Sequence, residues 1–124
     1  MGAHDDADPA VEALAQLVTT LDECVTQLAD ARTRAGVLLR ERKTGRAWVE
    51  IVSAESRPLV VESISTVLGS LATAGHAWRR EEAAALQSEA VSINRIAAMF
   101  GVTRQRISAL LRERDEPQAA APLD

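Results

Sequence analysis

The chain has 124 residues, of which 47% are hydrophobic and 26% charged, and its formal net charge is −4. This balance is typical of a folded domain and argues against a disordered or membrane-spanning chain. Aromatic residues make up only 2% and tyrosine is absent, which argues against an all-β fold and against stacking of single-stranded bases. The abundance of alanine and leucine favours helix instead.

Metal ligands and catalytic motifs are sparse. Cys24 is the only cysteine, so we expect a reduced, half-buried thiol, no intramolecular disulfide and no multi-cysteine zinc site. His4 and His76 have no further ligands at metal-binding spacing. Phosphate-binding loops and hydrolase or metalloprotease motifs are not found. The sequence therefore predicts no enzyme, no cofactor and no metal site, and the lack of a signal-peptide pattern predicts a cytoplasmic location.

The charges are distributed unevenly along the chain. Residues 1–30 contain seven acids and no base, and residues 31–46 contain six bases and one acid. Residues 77–114 contain seven arginines and four glutamates. Because binding depends on the local patch and not on the average, the acidic isoelectric point near 5.2 does not exclude a nucleic-acid partner.

The first predicted element is a long helix. Asp8 is a good N-cap and Pro9 suits the first helical position. The apolar residues that follow recur in heptads, with valine at one core position and leucine at the other, which is typical of a two-stranded parallel coiled coil. A helix of about 33 residues spans ~50 Å, more than a small domain covers. We therefore expect a dimer seam formed by Val11, Leu14, Val18, Leu21, Val25 and Leu28.

Two questions about this helix stay open in the sequence. Leu17, Cys24, Ala31 and Leu38 widen the apolar stripe beyond a coiled-coil seam. A wide stripe also suits a helix that packs inside its own domain, so an intramolecular bundle helix is the alternative. The sequence does not establish whether the two helices of a dimer run parallel or antiparallel.

The middle of the chain predicts two further helices. The first long helix ends at Lys43-Thr44-Gly45. Residues 46–56 fit a strand or a helix, and a short helix is favoured because a lone strand has no partner. Pro58 opens the next helix, which Gly75 is expected to close. Its expected apolar face consists of Leu59, Val60, Ile64, Val67, Leu68 and Leu71.

The C-terminal third predicts two short helices joined by a tight turn. Ser92 can cap a helix that runs to Phe100, Gly101 supplies the positive φ of the turn, and Thr103 can cap a second helix that runs to Arg114. Val102 is expected to fill the turn. The expected inner faces consist of Ile93, Ile96, Ala97 and Phe100 on the first helix and of Ile107, Leu110 and Leu111 on the second.

This segment resembles the helix-turn-helix family of bacterial transcription regulators over about twenty residues, Ser92 to Arg112. The stretch GVTRQRIS is also similar to the recognition helix of sigma-factor region 4, and residues 78–88 resemble the support helix of a tri-helical version. The resemblance implies that Gln105 and Arg104 read bases and that Arg106 and Arg112 hold phosphates. The full set of DNA-binding residues it implies is Ser92, Arg95, Thr103, Arg104, Gln105, Arg106, Ser108 and Arg112.

Together these features predict an all-α, dimeric, sequence-specific protein that binds double-stranded DNA, acts as a transcription regulator in the nucleoid and does not contact a membrane. An adaptor that uses the same fold to bind protein is the alternative. The expected regions are a disordered N-terminus (1–8), a helical dimerisation and scaffold region (9–75), a helix-turn-helix domain (76–114) and a flexible tail (115–124).

Overall fold

A computed structural model describes residues 8–115, and every regular element in that range is an α-helix. The expected all-α class is therefore confirmed. The helices are α1 (Pro9–Lys43), α2 (Trp48–Ala54), α3 (Val60–Ser88), α4 (Ile93–Phe100) and α5 (Arg104–Asp115). The predicted disordered terminus and tail lie outside the described residues, except for Asp8 and Asp115.

Helix α1 begins and ends where the sequence predicts. The Oδ1 atom of Asp8 accepts hydrogen bonds from the backbone N–H groups of Ala10 (2.9 Å) and Val11 (3.3 Å). These bonds satisfy two of the donors that a helix start leaves free. The helix ends at Lys43, two residues before Gly45 takes a φ of 99°. Side chains and backbone chemistry therefore fix both ends of this 35-residue helix.

The ambiguous segment that follows is helical. The carbonyl of Ala47 accepts hydrogen bonds from the N–H groups of Glu50 (3.0 Å) and Ile51 (3.1 Å), which starts α2. Ile51 is buried, while Val49 and Val52 on the same short helix are exposed. The single inward side chain explains why both the strand and the helix periodicity fitted this stretch.

The prediction that Gly75 ends the third helix is wrong. Helix α3 continues through it from Val60 to Ser88, so the expected support helix is the second half of α3. A glycine inside a helix costs about 1 kcal/mol relative to alanine, which good helix formers around it can offset. Alanines on both sides of Gly75, such as Ala72, Ala74 and Ala77, are strong helix formers and favour continuation of the helix.

The described residues divide into two compact units, and residues 16–74 form one of them. Its core contains Cys24, Ala31, Ile51, Val67 and Ala74. The Cys24 thiol is free but only 3% exposed, which corrects the expectation of a half-buried thiol.

The predicted apolar face of the third helix is correct only in part. Val67 is buried and Leu59, Val60 and Leu71 are half-buried, as a core-facing stripe requires. Ile64 and Leu68 are exposed, because they lie on the flank of the helix and not on the side that faces the core. Two large apolar side chains of this face therefore contact solvent.

The other unit consists of residues 8–15 and 75–115. Its core combines the second half of α3 with α4 and α5: Ala83, Ile96, Ala97, Ile107 and Leu110 are buried together. Leu86, Val91, Ile93, Phe100 and Leu111 pack around them. The expected inner faces of the two short helices are confirmed by this cluster.

Replacing Gly101 and Gly75 with alanine should change the stability of the protein in opposite directions. Gly101 has a φ of 70°, whereas Gly75 is helical, and an added Cβ would meet no atom within 4 Å at either position. Alanine at a positive φ costs about 1–2 kcal/mol, so we expect Gly101→Ala to lower the free energy of unfolding by that amount. Gly75→Ala should raise it by about 0.5–1 kcal/mol. Urea unfolding measures both, and a loss of stability in both variants would contradict this account.

None of the helices within residues 8–115 combines the length and the apolar character that a membrane span requires.

Candidate nucleic-acid interface

The turn between α4 and α5 has a capping hydrogen bond at the start of each helix. The Oγ atom of Ser92 accepts from the N–H of Arg95 (3.1 Å), and Oγ1 of Thr103 accepts from the N–H of Arg106 (3.1 Å). Gly101 ends α4 in the left-handed region, with φ 70° and ψ 32°. Its N–H and that of Val102 return to the carbonyls of Ala98 and Ala97. These local bonds hold the two helices at one fixed turn.

Packing then fixes which side of α5 faces outward. Ile107 is fully buried and Leu110 almost so, and both face α4 and α3. Val102 is 40% exposed, so the prediction that it fills the turn is wrong. The turn is closed instead by backbone hydrogen bonds and by the αL geometry of Gly101. Side chains half a turn away from Ile107 and Leu110 on α5 must therefore point to solvent.

The predicted site residues lie on the surface of this unit. Seven of the eight are exposed and Ser108 is half-buried. On α5, Gln105, Ala109 and Arg112 lie at a spacing of four and three residues, directly opposite the buried stripe. Arg104 and Ser108 lie along one edge of this outer face and Arg106 along the other. The structure thus presents the predicted residues of α5 on one side of one helix.

The arginines of this unit fall into two groups. Arg95, Arg104, Arg106 and Arg112 make no ion pair with any residue in the range 8–115. The three others are engaged within the unit: Arg79 contacts Glu82 and the ring of Phe100, Arg80 contacts Glu81, and Arg114 contacts Glu81. All four arginines without an ion pair belong to the predicted site.

The engaged arginines connect α3 to α5. Neighbouring residues of α3 pair locally, with Arg80 Nε 3.4 Å from Glu81 Oε2 and Arg79 Nε 4.0 Å from Glu82 Oε1. The sequence reasoning missed that Arg114 Nε also lies 2.7 Å from Glu81 Oε1. The helical spacing indicated the direction of this side chain, because Arg114 follows Leu110 by four residues and therefore lies on the inward side of α5. This contact holds the Arg114 side of α5 toward α3.

A second contact between the same helices involves a histidine. His76 Nε2 lies 2.7 Å from Glu113 Oε1, and Arg80 Nη1 lies 3.8 Å from the same oxygen. The hydrogen bond with His76 holds the pKa of the Glu113 carboxyl below its usual value. Desolvation acts in the opposite direction, and the charges of His76 and Arg80 add to the lowering. Glu113 is thus occupied by α3 and leaves the outer face of α5 positive.

This lowered pKa predicts a dependence of stability on pH. A carboxylate with a depressed pKa in the folded state stabilises the fold above its unfolded pKa, and this contribution is lost as pH falls through the folded pKa. The Glu113 side chain is 49% exposed, so the effect is modest. We expect Glu113→Gln to be less stable than the unmodified protein at pH 7 and to match it once Glu113 takes up its proton. Thermal unfolding across this range measures the difference; a constant difference would contradict the assignment.

Within residues 8–115, no three His, Cys, Asp or Glu side chains are grouped as a metal site requires.

A scan against protein-family models and searches of the curated proteins and of the solved structures find no match for this chain.

Proposed function

We propose that the protein binds double-stranded DNA in a sequence-dependent manner, as a homodimer, and acts as a transcription regulator. The α4–α5 pair forms the DNA-binding element, with α5 as the recognition helix in the major groove. The stripe on α1 provides the dimer contact. Two observations support this proposal: the resemblance of residues 92–112 to helix-turn-helix regulators, and the exposed, charged surface that these residues form.

The observation that carries the proposal is the contrast between the two groups of arginines. Exposed arginines next to carboxylates normally form surface ion pairs, as Arg79, Arg80 and Arg114 do. On the outer face of α5 and at the start of α4, four arginines have no such partner within the described residues. An electrostatically unsatisfied surface of this kind suits an anion that arrives from outside, and the DNA backbone is a polyanion.

The position of each side chain supports a division of roles. Gln105 lies in the first turn of α5 on the outermost line, where a recognition helix meets base edges, and glutamine pairs bidentately with adenine. Arg104 begins the helix and suits guanine. Arg106 lies along one edge of the outer face, which suits a phosphate beside the groove. Arg112 lies two turns beyond Gln105, which suits a phosphate where α5 leaves the groove, and Arg95 on α4 suits the backbone together with Ser92. Thr103 and Ser108 complete the contact surface.

Fluorescence anisotropy with a labelled 30-base-pair duplex tests this function directly. We expect the full-length protein to bind the duplex at low salt and to lose affinity steeply as salt rises, because counterions are released from phosphates. A matched single strand should bind less tightly. Absence of duplex binding even at low salt would contradict the proposal and favour an adaptor that binds protein.

If Gln105 and Arg104 contact bases, their removal should lower the affinity for the preferred duplex more than for other sequences. We expect Gln105→Ala and Arg104→Ala each to cost about 1–3 kcal/mol on the preferred duplex and to relax preference at one base position. Gln87→Ala, at an exposed glutamine of α3 in the same unit, is the control and should change neither quantity. Titration of preferred and scrambled duplexes distinguishes the roles, since equal losses on both would show that neither residue reads a base.

A further inference from the structure

The unit of residues 16–74 exposes an apolar stripe on α1 that its own core does not use. The side of α1 that faces inward carries Thr20, Cys24 and Ala31. The exposed stripe lies beside it and consists, within this unit, of Val18 (51% exposed), Leu21 (45%), Val25 (67%) and Leu28 (43%). One helix thus has two apolar sides, of which only one is covered by the chain itself.

Helix α3 continues this surface. Cys24 of α1 lies against Val67 of α3, with Sγ 4.0 Å from the Val67 carbonyl oxygen. Further along α1, Arg34 donates to the carbonyls of Ser56 and Pro58, which precede α3, so the two helices run in opposite directions. On one side of the Cys24–Val67 contact lies a groove lined by Thr26, Gln27, Asp30, Pro58, Ser63 and Thr66. Residues three positions before or four positions after Cys24 and Val67 lie on the side of the contact away from this groove. There α1 presents Leu21 and Leu28, and α3 presents Ile64.

The result is an apolar face formed by two helices, on the side of their contact away from this groove. Val61 (63% exposed) and Leu68 (61%) extend the α3 part of this face. Large apolar side chains that are exposed together on one face mark a candidate interaction site. Two helices with one free apolar side are half of a four-helix bundle.

The charges of α1 indicate what covers this face. Its first half carries Glu12, Asp22, Glu23 and Asp30, and none of these makes an ion pair within residues 8–115. Its second half carries Arg32, Arg40 and Lys43, which likewise lack a carboxylate partner there. The helix is therefore acidic at one end and basic at the other, and it complements a reversed copy of itself.

We propose that the apolar face binds a second copy of this chain with the two α1 helices antiparallel, which rests on the homodimer of the proposed function and adds its direction. Parallel pairing places Arg32 against Arg32 of the second copy in the seam, and acid against acid. In antiparallel pairing, the valine positions of one α1 stripe face the leucine positions of the other, so Val25 lies opposite Leu28 of the second copy. In the same register Leu21 and Asp22 meet Arg32 of the second copy, so the arginine that interrupts the seam gains a carboxylate.

The direction is tested by disulfide mapping in the full chain. Cys24→Ala removes the only native thiol, which is buried, and Val18→Cys and Ala35→Cys then place thiols at exposed positions of the seam. In the antiparallel register residue 18 faces residue 35 of the second copy. Within one helix these positions are about 26 Å apart, too far for an intramolecular bond. Mild oxidation of the protein with both thiols should yield dimers whose peptides link 18 to 35, and neither single-thiol protein should cross-link.

Disulfides that join residue 18 to residue 18 and residue 35 to residue 35 of the second copy would overturn the antiparallel direction and retain the dimer. A protein with both thiols that forms no link and sediments as a monomer would overturn the dimer contact altogether. DNA binding by the same variants is a separate readout, so an 18-to-35 link without duplex binding would retain this inference and overturn the proposed function.

A charge exchange gives a second, independent readout of direction. Asp22→Arg and Arg32→Asp should each weaken dimerisation, by about fivefold for each cross-helix pair that is lost. The double variant restores opposite charges only if residue 22 faces residue 32 of the second copy, so the dimer should regain its stability. Equilibrium sedimentation measures the three proteins, and a double variant weaker than both single variants would contradict antiparallel pairing.

Discussion

Leu21→Asp combined with Val25→Asp is expected to convert the protein into a monomer. Both side chains lie on the exposed stripe of α1, at 45% and 67% exposure, so the unpaired chain tolerates a carboxylate at either position. In the proposed dimer the carboxylate at position 25 is buried against Leu28 of the second copy, and an unpaired buried charge costs several kcal/mol. The carboxylate at position 21 lies opposite Arg32 of the second copy, and this pairing offsets only part of that cost. Dimerisation should therefore fail although each chain remains folded.

The loss of the dimer is expected to carry over to DNA affinity. Two linked recognition elements gain about 10²–10⁴ in avidity over one, and a monomer loses this gain. The control is Thr19→Asp with Thr33→Asp, which adds the same charge to the same helix at exposed positions outside the stripe. Sedimentation and duplex titration measure both proteins. A stable dimer in the Leu21/Val25 variant would show that this stripe is not the seam.

Removal of the phosphate contacts is expected to abolish most of the salt dependence of binding. Each phosphate neutralised contributes about −0.9 to the slope of log affinity against log salt, so three arginines in each of two protomers contribute about −5. Arg95→Ala, Arg106→Ala and Arg112→Ala in one protein remove these contacts, and the slope should approach zero. Affinity for all sequences should fall together, because phosphates carry no sequence information.

A matched variant separates a specific surface from general charge. Arg42→Ala, Arg46→Ala and Arg57→Ala remove the same number of positive charges from residues 16–74, at positions outside the proposed dimer contact. We expect this protein to keep a slope close to that of the unmodified chain. A similar decrease in slope for both variants would mean that DNA responds to net charge and not to the outer face of α5.

The local chemistry of helix ends was predictable because it depends on neighbours in sequence. Asp8, Ser92 and Thr103 cap helices as expected, and Gly101 takes the left-handed conformation that a tight turn needs. Helix periodicity likewise identified the buried side of α5, from Ile107 and Leu110. These features need no knowledge of the rest of the chain.

The errors arise where the surroundings of a residue decide the outcome. Gly75 has the composition of a helix end, but the alanines on both sides carry α3 through it. Val102 follows a glycine turn as a filler would, yet backbone hydrogen bonds close the turn and leave its side chain at the surface. The Arg114–Glu81 contact joins residues 33 positions apart, a separation at which periodicity gives a direction but no partner.

The same limit applies to the candidate site. The identity of the outward residues on α5 followed from the helical spacing of Gln105, Ala109 and Arg112. The contrast between paired and unpaired arginines could not be predicted from helical spacing, because it depends on which carboxylates of α3 reach α5. Glu81 engages Arg80 and Arg114 and Glu113 engages His76, while no carboxylate within residues 8–115 forms an ion pair with the arginines of the outer face.

The most direct test of the central claim is selection of duplexes by the purified full-length protein from a random pool, followed by sequencing. The account predicts enrichment of a defined motif, and it predicts that Gln105→Ala enriches a motif with one position relaxed. Recovery of duplexes without any sequence preference, by a protein that binds no more tightly than its Arg95/Arg106/Arg112 alanine variant, would contradict recognition of DNA by α5.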